Sequence, residues 1–410
     1  MVYIEEQVDT IWNFRATRTK FGLNAIKEIG SDAQQLGATN VLIVSDKGIS
    51  KAGLPEKVGQ ILKEEGITVS VWDEAEPEPS IESVQKGAEF AKADKYDCFI
   101  GLGGGSSIDS AKVIALIATH GGEAREYLAA PIGMGKKVPG PCKPLIAVPT
   151  TAGTGAENSA SAIMKVTVKD QVMKIGIGSP YILPVLAVLD PLLTMSCPPR
   201  ATADSGMDAL VHAIECYVTR RYTDHPPMLG AHGGATEVTD LLAGEAIRLI
   251  GKYLRRAVYN GHDTKARTGM LLGAYLSGMA FTNGGLGSVH GTASPLATTY
   301  HVAHGLSNAI MLPVVMKHNF PAKLEKFAEI AVLLGEKVDG LSKYEAASKS
   351  VDAVIKLVRD VGIPNGIAAI GAKEEDIPLL ADRALKMMFQ PRPISTDELK
   401  EIYRSAMKIY

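Results

Sequence analysis

The sequence predicts an α/β half followed by an all-helical half, and three observations carry that expectation. Short apolar, β-branched runs alternate with helical stretches as far as Asp190. A Gly-rich turn, Gly101-Leu-Gly-Gly-Gly-Ser106, follows one of these runs and opens a helix. Beyond Pro198 the apolar spacing becomes helical, with no further alternation and no internal repeat.

In chain order, a helical stretch around 25–36 leads into Asn40-Val-Leu-Ile-Val-Ser45, which reads as a buried strand. The amphipathic helix 55–65 precedes a second strand, Val69–Trp72. Tyr96–Leu102 and Pro144–Pro149 read as a third and fourth, and Val185–Asp190 as the last. Strands of this kind separated by helices argue for a parallel sheet covered on both faces. Pro198-Pro-Arg-Ala-Thr-Ala-Asp-Ser205 then reads as a connection between two domains, 1–197 and 198–410. Helical periodicity follows at 244–259, 266–279, 321–334 and 344–361. Between them, 224–235 is Pro/Gly-rich and reads as an exposed loop whose His225 and His232 are solvated rather than ligands.

The chain of 410 residues is long enough for two domains. Its 46 % hydrophobic and 21 % charged residues are ordinary for a core-forming protein. A net charge of −2, with basic residues only in isolated doublets such as Arg220-Arg221 and Arg255-Arg256, argues against nucleic acid or an anionic membrane as partner. Four cysteines form neither a C-x-x-C pair nor a disulfide framework, as expected of a reducing cytoplasm. The first residues lack the features of a signal peptide, and no apolar run is long enough to span a bilayer. The expectation is a cytoplasmic protein.

Two polar clusters follow predicted strands. In Gly101–Lys112, glycines allow close approach to a phosphate, and the first helical N–H groups and dipole favour an anion. Ser106 reads as the N-cap or as a donor to phosphate. A tight strand-to-helix turn accounts for the glycines equally well, but not for Ser106, Asp109 and Lys112. The second cluster, Pro149-Thr-Thr-Ala-Gly-Thr-Gly-Ala-Glu157, offers hydroxyls at the carboxyl edge of the sheet, where ligands bind in such folds. Asp46, ending a strand, is placed to accept from an adenosine ribose hydroxyl and to repel a 2′-phosphate, which favours NAD over NADP. An Asp46-Lys47-Gly48 turn is the structural alternative.

Asp208 and His212 are four apart in a helical run and so share one face. With His290 and His304 they would form a mixed N/O donor set suited to Fe(II) or Zn(II). Taken singly, His212 reads equally well as a core residue satisfied by a hydrogen bond, and His290 and His304 read more readily that way than as ligands.

The motifs Gly103–Lys112, Pro149–Glu157, Gly206-Met-Asp-Ala-Leu-Val-His212 and His290…His304-Gly305, in this order, resemble those of the iron-containing (group III) alcohol dehydrogenases. The resemblance runs nearly end to end, closing with Gln390-Pro-Arg-Pro393. It implies a dinucleotide-binding α/β domain (1–197) and a helical metal-binding, catalytic domain (198–410), the fold shared with dehydroquinate synthases. Carried over by motif, Asp208, His212, His290 and His304 would be the metal ligands and act catalytically through the metal. Gly104, Gly105, Ser106 and Asp109 would hold the pyrophosphate region of the cofactor. Thr150, Thr151 and Thr154 would contact its nicotinamide half, with Lys174 near the ribose.

The implied activity is NAD(P)-linked interconversion of a small alcohol and its aldehyde, with Fe(II) (or Zn(II)) as Lewis acid, in a homo-oligomer. One departure concerns the position four residues after His290, where many members carry a histidine and this chain has Ser294. A serine cannot titrate near neutrality, and His301 is the nearby candidate to replace it. Ser294, the stretch Tyr127–Lys136 and the insertion after Tyr222 are similar to the hydroxyacid–oxoacid transhydrogenase branch, which oxidises 4-hydroxybutyrate at the expense of 2-oxoglutarate with a cofactor that stays bound. A dehydroquinate synthase-like lyase is the more distant alternative, disfavoured by the Asp-x-x-x-His pair.

Overall fold

The structure, a computed structural model, describes residues 12–168, 171–224, 233–385, 387 and 389–410. The chain folds as two compact units: Ala16–Thr202 with Tyr259–Leu271, and Ala203–Val258 with Leu272–Tyr410 and the N-terminal residues 12–15. His225 and His232 lie outside the described residues.

The first unit is built on β1 (Thr19–Phe21), β2 (Asn40–Val44), β3 (Thr68–Trp72), β4 (Cys98–Gly103) and β5 (Leu145–Pro149). A hairpin of β6 (Ser161–Val168) and β7 (Gln171–Gly178) follows, then β8 (Leu186–Leu189). Six strands form a parallel sheet in the order β1-β8-β5-β4-β2-β3, and β6 and β7 form a separate two-stranded antiparallel sheet. Between them run α1 (Ile29–Gln35), α2 (Lys47–Lys51), α3 (Leu54–Glu64), α4 (Ile81–Lys92), α5 (Gly105–His120) and the short α6 (Ala124–Tyr127).

The five strands expected from apolar runs are all present. β4, β5 and β8 are buried throughout, and β2 from its second residue, as continuous Val/Ile/Leu runs require when both faces of a parallel sheet are covered. Val41, Ile43, Ile100 and Val148 pack with α1 and α3 residues such as Ile29 and Val58, whereas Leu42, Val44 and Phe99 pack with Trp72 and Ile114. Each such side chain, fully buried, stabilises the unit by roughly 1.5–3 kcal/mol. After β2 the chain goes outward to β3 and then returns to the other side of β2 as β4, so the order reverses between β2 and β4. A ligand crevice is expected outside the carboxyl ends of strands at such a reversal. Asp46 and the Gly103–Gly105 turn are there.

The second unit is helical: α7 (Pro199–Val218), α8 (Glu237–Tyr259), α9 (Thr264–Gly284), α10 (Ser288–Tyr300), α11 (His304–Asn319), α12 (Leu324–Leu333), α13 (Lys343–Asp360), α14 (Ile377–Arg383) and α15 (Thr396–Ala406). Parts of α7, α8 and α9 belong by contact to the first unit. The expected connection 198–205 is helical from Pro199 onward, because proline at the first helical position loses no intrahelical bond.

Two helices carry an internal proline, Pro295 in α10 and Pro313 in α11. Pro295 has no N–H for the carbonyl of Gly291 four residues earlier. That carbonyl accepts instead from the Leu385 N–H at 3.0 Å, which satisfies it and fixes the segment after α14 against α10.

Candidate functional site

Within the helical unit, α7 presents Asp208, His212 and Glu215 at positions i, i+4 and i+7, a single face of a helix. All three side chains are buried. α10 brings His290 against this face and α11 begins with His304. Glycine follows each of these two histidines because the backbone of a neighbouring segment approaches closely. A Cβ on Gly291 would lie 2.3 Å from the Leu385 carbonyl oxygen, and one on Gly305 would lie 2.3 Å from that of Asp204.

The four residues carried over by motif converge. His212 Nε2 is 4.0 Å from Asp208 Oδ2, and His304 Nε2 is 3.9 Å from Asp208 Oδ1. Donor atoms of Asp208, His212 and His290 all lie within 4.8 Å of one another. The His212 and His290 rings stack with centroids 4.8 Å apart, and Phe281 stacks on His212 at 4.2 Å. Burial opposes ionisation of Asp208, but the neighbouring His212, His304 and His290 charges, with a hydrogen bond from Asn308, outweigh it and lower its pKa to about 2.

Two further residues complete the cluster and carry no motif of their own in the sequence. Glu215 Oε2 is 2.5 Å from His290 Nδ1, and its other oxygen accepts from the Val289 N–H at 2.5 Å. Asn308, one turn after His304, donates through Nδ2 to Asp208 Oδ1 at 2.6 Å and lies 3.2 and 3.1 Å from His290 Nε2 and His304 Nε2. The i+7 spacing on α7 carried a signal for Glu215, and Asn308 stands at i+4 from His304 on α11, the spacing that paired Asp208 with His212. The donor set fits a first-row divalent ion. Asp208 is held as a carboxylate, and Glu215 occupies Nδ1 of His290 and so turns Nε2 towards the other ligands. Ser294 lies one turn beyond His290 on α10, and His301 is exposed at the end of that helix with φ 51°.

In the α/β unit, Gly104 rather than Ser106 is the N-cap of α5. The chain enters the helix earlier than a serine cap requires, and the Ser106 hydroxyl accepts from the Glu78 N–H at 3.1 Å. A Cβ on Gly105 would meet Thr154 at 2.8 Å, so the Gly-rich turn packs directly on the second polar cluster. Asp46 caps α2 by accepting from the N–H groups of Gly48 and Ile49, and its second oxygen accepts from Ser107 Oγ at 2.9 Å. Asp109 faces the hairpin: one oxygen is 3.0 Å from Lys112 Nζ, the other accepts from the Ile163 N–H at 3.0 Å. Lys112, fully buried, also donates to the Ser161 carbonyl at 2.7 Å. Asp109 and Lys112 thus tie α5 to β6.

Thr150 and Thr151 follow β5 directly, and the buried Thr150 hydroxyl has no hydrogen-bond partner among the described residues. Lys174 on β7 pairs with Glu78 at 2.5 Å. A dinucleotide fits this arrangement. An unsatisfied hydroxyl borders the turn, and the first N–H groups of the sixteen-residue α5 have no partners within the helix.

Residues 16–191 match the family described as iron-containing alcohol dehydrogenase. Residues 202–407 match the C-terminal part of the Fe-containing alcohol dehydrogenase family. The chain belongs to the iron-containing alcohol dehydrogenase family. It is an enzyme, an oxidoreductase of the alcohol dehydrogenase type, with the fold that the sequence motifs implied. It is 38 % identical over 389 residues to the NAD-dependent methanol dehydrogenase of Bacillus methanolicus, covering 94 % of this chain and 97 % of the relative. It is 34 % identical over 426 residues to the mitochondrial hydroxyacid-oxoacid transhydrogenase of Bos taurus, covering 98 % and 91 %. Among solved structures, a 1,3-propanediol oxidoreductase superposes with a TM-score of 0.89 at 37 % identity, covering 97 % of this chain and all of that one. Among the described residues, no helix is long and apolar enough to cross a membrane.

Proposed function

We propose that the chain interconverts a small alcohol and its aldehyde with NAD, using Fe(II) held by Asp208, His212, His290 and His304, as a cytoplasmic homo-oligomer. The convergence of His212, His290 and His304 on an ionised, buried Asp208 supports this reading most directly. Zn(II) suits the same donors, but a carboxylate with no thiolate favours the harder Fe(II). Bound there, the ion supplies Lewis acidity, lowering the pKa of an alcohol and polarising a carbonyl. NAD supplies the hydride acceptor at its nicotinamide ring.

The protein's own residues orient and hold. Glu215 fixes the tautomer of His290, with the proton on Nδ1. Asn308 holds the Asp208 carboxylate in one orientation. Phe281, stacked on His212, limits rotation of that ring and shields it from water. Ser294 cannot store a proton near neutrality, so protons leave by hydroxyls and water rather than through a histidine there. In the α/β unit, the Gly104–Ser106 turn takes the pyrophosphate and Thr150, Thr151 and Thr154 the nicotinamide half. Asp46 takes the adenosine ribose, and its charge is the reason for NAD rather than NADP.

A second reading, transfer of hydride from a hydroxyacid to an oxoacid through retained cofactor, is favoured by the alignment with the bovine transhydrogenase, which covers 98 % of this chain. One experiment separates the two. Protein loaded anaerobically with Fe(II) is mixed with NADH and a panel of short aldehydes that includes succinic semialdehyde, and NADH absorbance is followed. Steady turnover that metal-free protein lacks supports the dehydrogenase. No turnover with added NADH, but reaction of 4-hydroxybutyrate with 2-oxoglutarate in its absence, supports the transhydrogenase. Failure of both rejects the proposal.

A further inference from the structure

Glu78 lies in a place the reaction does not itself explain. It is one of three non-glycine residues with positive φ among the described residues, at φ 52°. That conformation is unfavourable for a glutamate, and the proline that follows it disfavours it further. Residues kept in such conformations are over-determined by their surroundings and cluster at functional sites.

The surroundings here are specific. The Glu78 N–H donates to Ser106 Oγ at 3.1 Å, in the Gly-rich turn. The next carbonyl, of Pro79, accepts from the Lys165 N–H at 2.8 Å, and Ser80 bridges to Lys165. Lys165 stands directly opposite Lys174 in the β6–β7 register. Like charges facing each other across a hairpin repel. The Glu78 carboxylate, 2.5 Å from Lys174 Nζ, offsets that repulsion and fixes the direction of the Lys174 side chain, which is only 13 % exposed. The backbone of Glu78 fixes Ser106 in a complementary way. A hydroxyl whose lone pair already accepts from an N–H is left with its own proton to donate.

We propose that Glu78 is a positioning residue of the cofactor site, aligning the Ser106 hydroxyl and the Lys174 ammonium as two donors to one dinucleotide. The inference rests on the reading above, in which the Gly-rich turn holds NAD, together with the family resemblance that puts Lys174 near the cofactor's ribose. Glu78 touches neither cofactor nor substrate in this role. Its effect is carried by the ion pair and by the hydrogen bond to Ser106.

The test measures NADH affinity by fluorescence titration of metal-loaded protein, and AMP affinity by competition. The variants are Glu78→Gln, Glu78→Gly, Lys174→Ala and the double variant Glu78→Gln/Lys174→Ala. Gly adopts φ 52° freely, so E78G removes the carboxylate and relieves the backbone at once. Lys174→Ala, E78Q and E78G should each weaken NADH by about tenfold, the worth of one charge-assisted hydrogen bond. The double variant should be no weaker than Lys174→Ala alone. AMP lacks the nicotinamide ribose that Lys174 would meet, and every variant keeps the backbone N–H that holds Ser106, so AMP should bind all of them like the parent. NADH affinity unchanged or tighter in E78Q and E78G, while Lys174→Ala weakens it, would overturn the proposal. So would a parallel loss of AMP and NADH, which marks a merely structural role. If Lys174→Ala leaves NADH unchanged, Lys174 is not at the cofactor and the proposal fails with that assignment. If the parent itself does not bind NADH, it is the cofactor reading that has failed.

Discussion

Glu215 Oε2 and His290 Nδ1 lie 2.5 Å apart, joining α7 to the first turn of α10. The contact is buried, and it commits one ring nitrogen so that the other is available as a ligand. It also adds a second buried carboxylate to the face of α7 that carries Asp208. A carboxylate in this position typically contributes 10–100-fold to metal affinity. Glu215→Ala should therefore weaken Fe(II) or Co(II) binding by about that factor, measured by chelator competition. Glu215→Gln, which can still accept from Nδ1–H, should lose less. Wild-type metal affinity in Glu215→Ala would show that His290 needs no such partner.

Gly305 makes a second prediction, about position rather than charge. A Cβ there would lie 2.3 Å from the Asp204 carbonyl oxygen and 3.3 Å from Asp208 Cβ, and neither neighbour is the end of a flexible side chain. In Gly305→Ala the start of α11 must move away from α7 and carry His304 with it. Overpacking of this kind costs about 1–3 kcal/mol. The expected result is a lower Tm together with weaker metal retention. Gly140→Ala, where an added Cβ meets nothing within 4 Å, serves as the control. Metal content and Tm unchanged in Gly305→Ala would mean that the backbone yields without moving His304.

Strands β2, β4, β5 and β8 were legible because each is an apolar run buried on both faces, for which sequence and environment say the same thing, whereas β1, three residues long and partly polar, offered no such run. The β6–β7 hairpin was not, although Ala162, Met164 and Val166 alternate with more exposed Ile163, Lys165 and Thr167. That strand lies outside the main sheet, and its period of two is short and interrupts the βα alternation on either side. Asp208 and His212 were legible as a pair, and Glu215 follows the same spacing, but an isolated glutamate on a helix ordinarily reads as solvated. Asn308 shares a helical face with His304, but its role became visible only when α11 folded back on α7 and brought it to Asp208, a long-range contact. Pro295 obscured α10 in the same way, since only the distant Leu385 N–H shows how the helix tolerates it.

Glu157 makes the third prediction. It lies in the turn after β5, wholly buried, where its backbone carbonyl accepts from Thr17 Oγ1 at 2.8 Å. Burial raises its pKa to about 7, against the opposing pull of its own backbone N–H and the charge of Lys112. An unfolded glutamate releases its proton near pH ~4.3. Between that pH and about 7 the folded protein keeps a proton that the unfolded chain has lost. The contribution of Glu157 is therefore fully present below the unfolded pKa and is lost as pH rises through the folded one. A pKa difference of one between the folded and unfolded chains is worth about 1.4 kcal/mol, so the loss is on the order of 3 kcal/mol and is complete above neutrality. Glu157→Gln keeps the shape and removes the titration. Relative to the parent, its stability should improve between about pH 5 and about pH 8 by up to that amount, read as the difference in Tm at the two values. Equal pH dependence in both proteins would place the Glu157 proton elsewhere, with Lys112 holding the carboxylate ionised in the folded state.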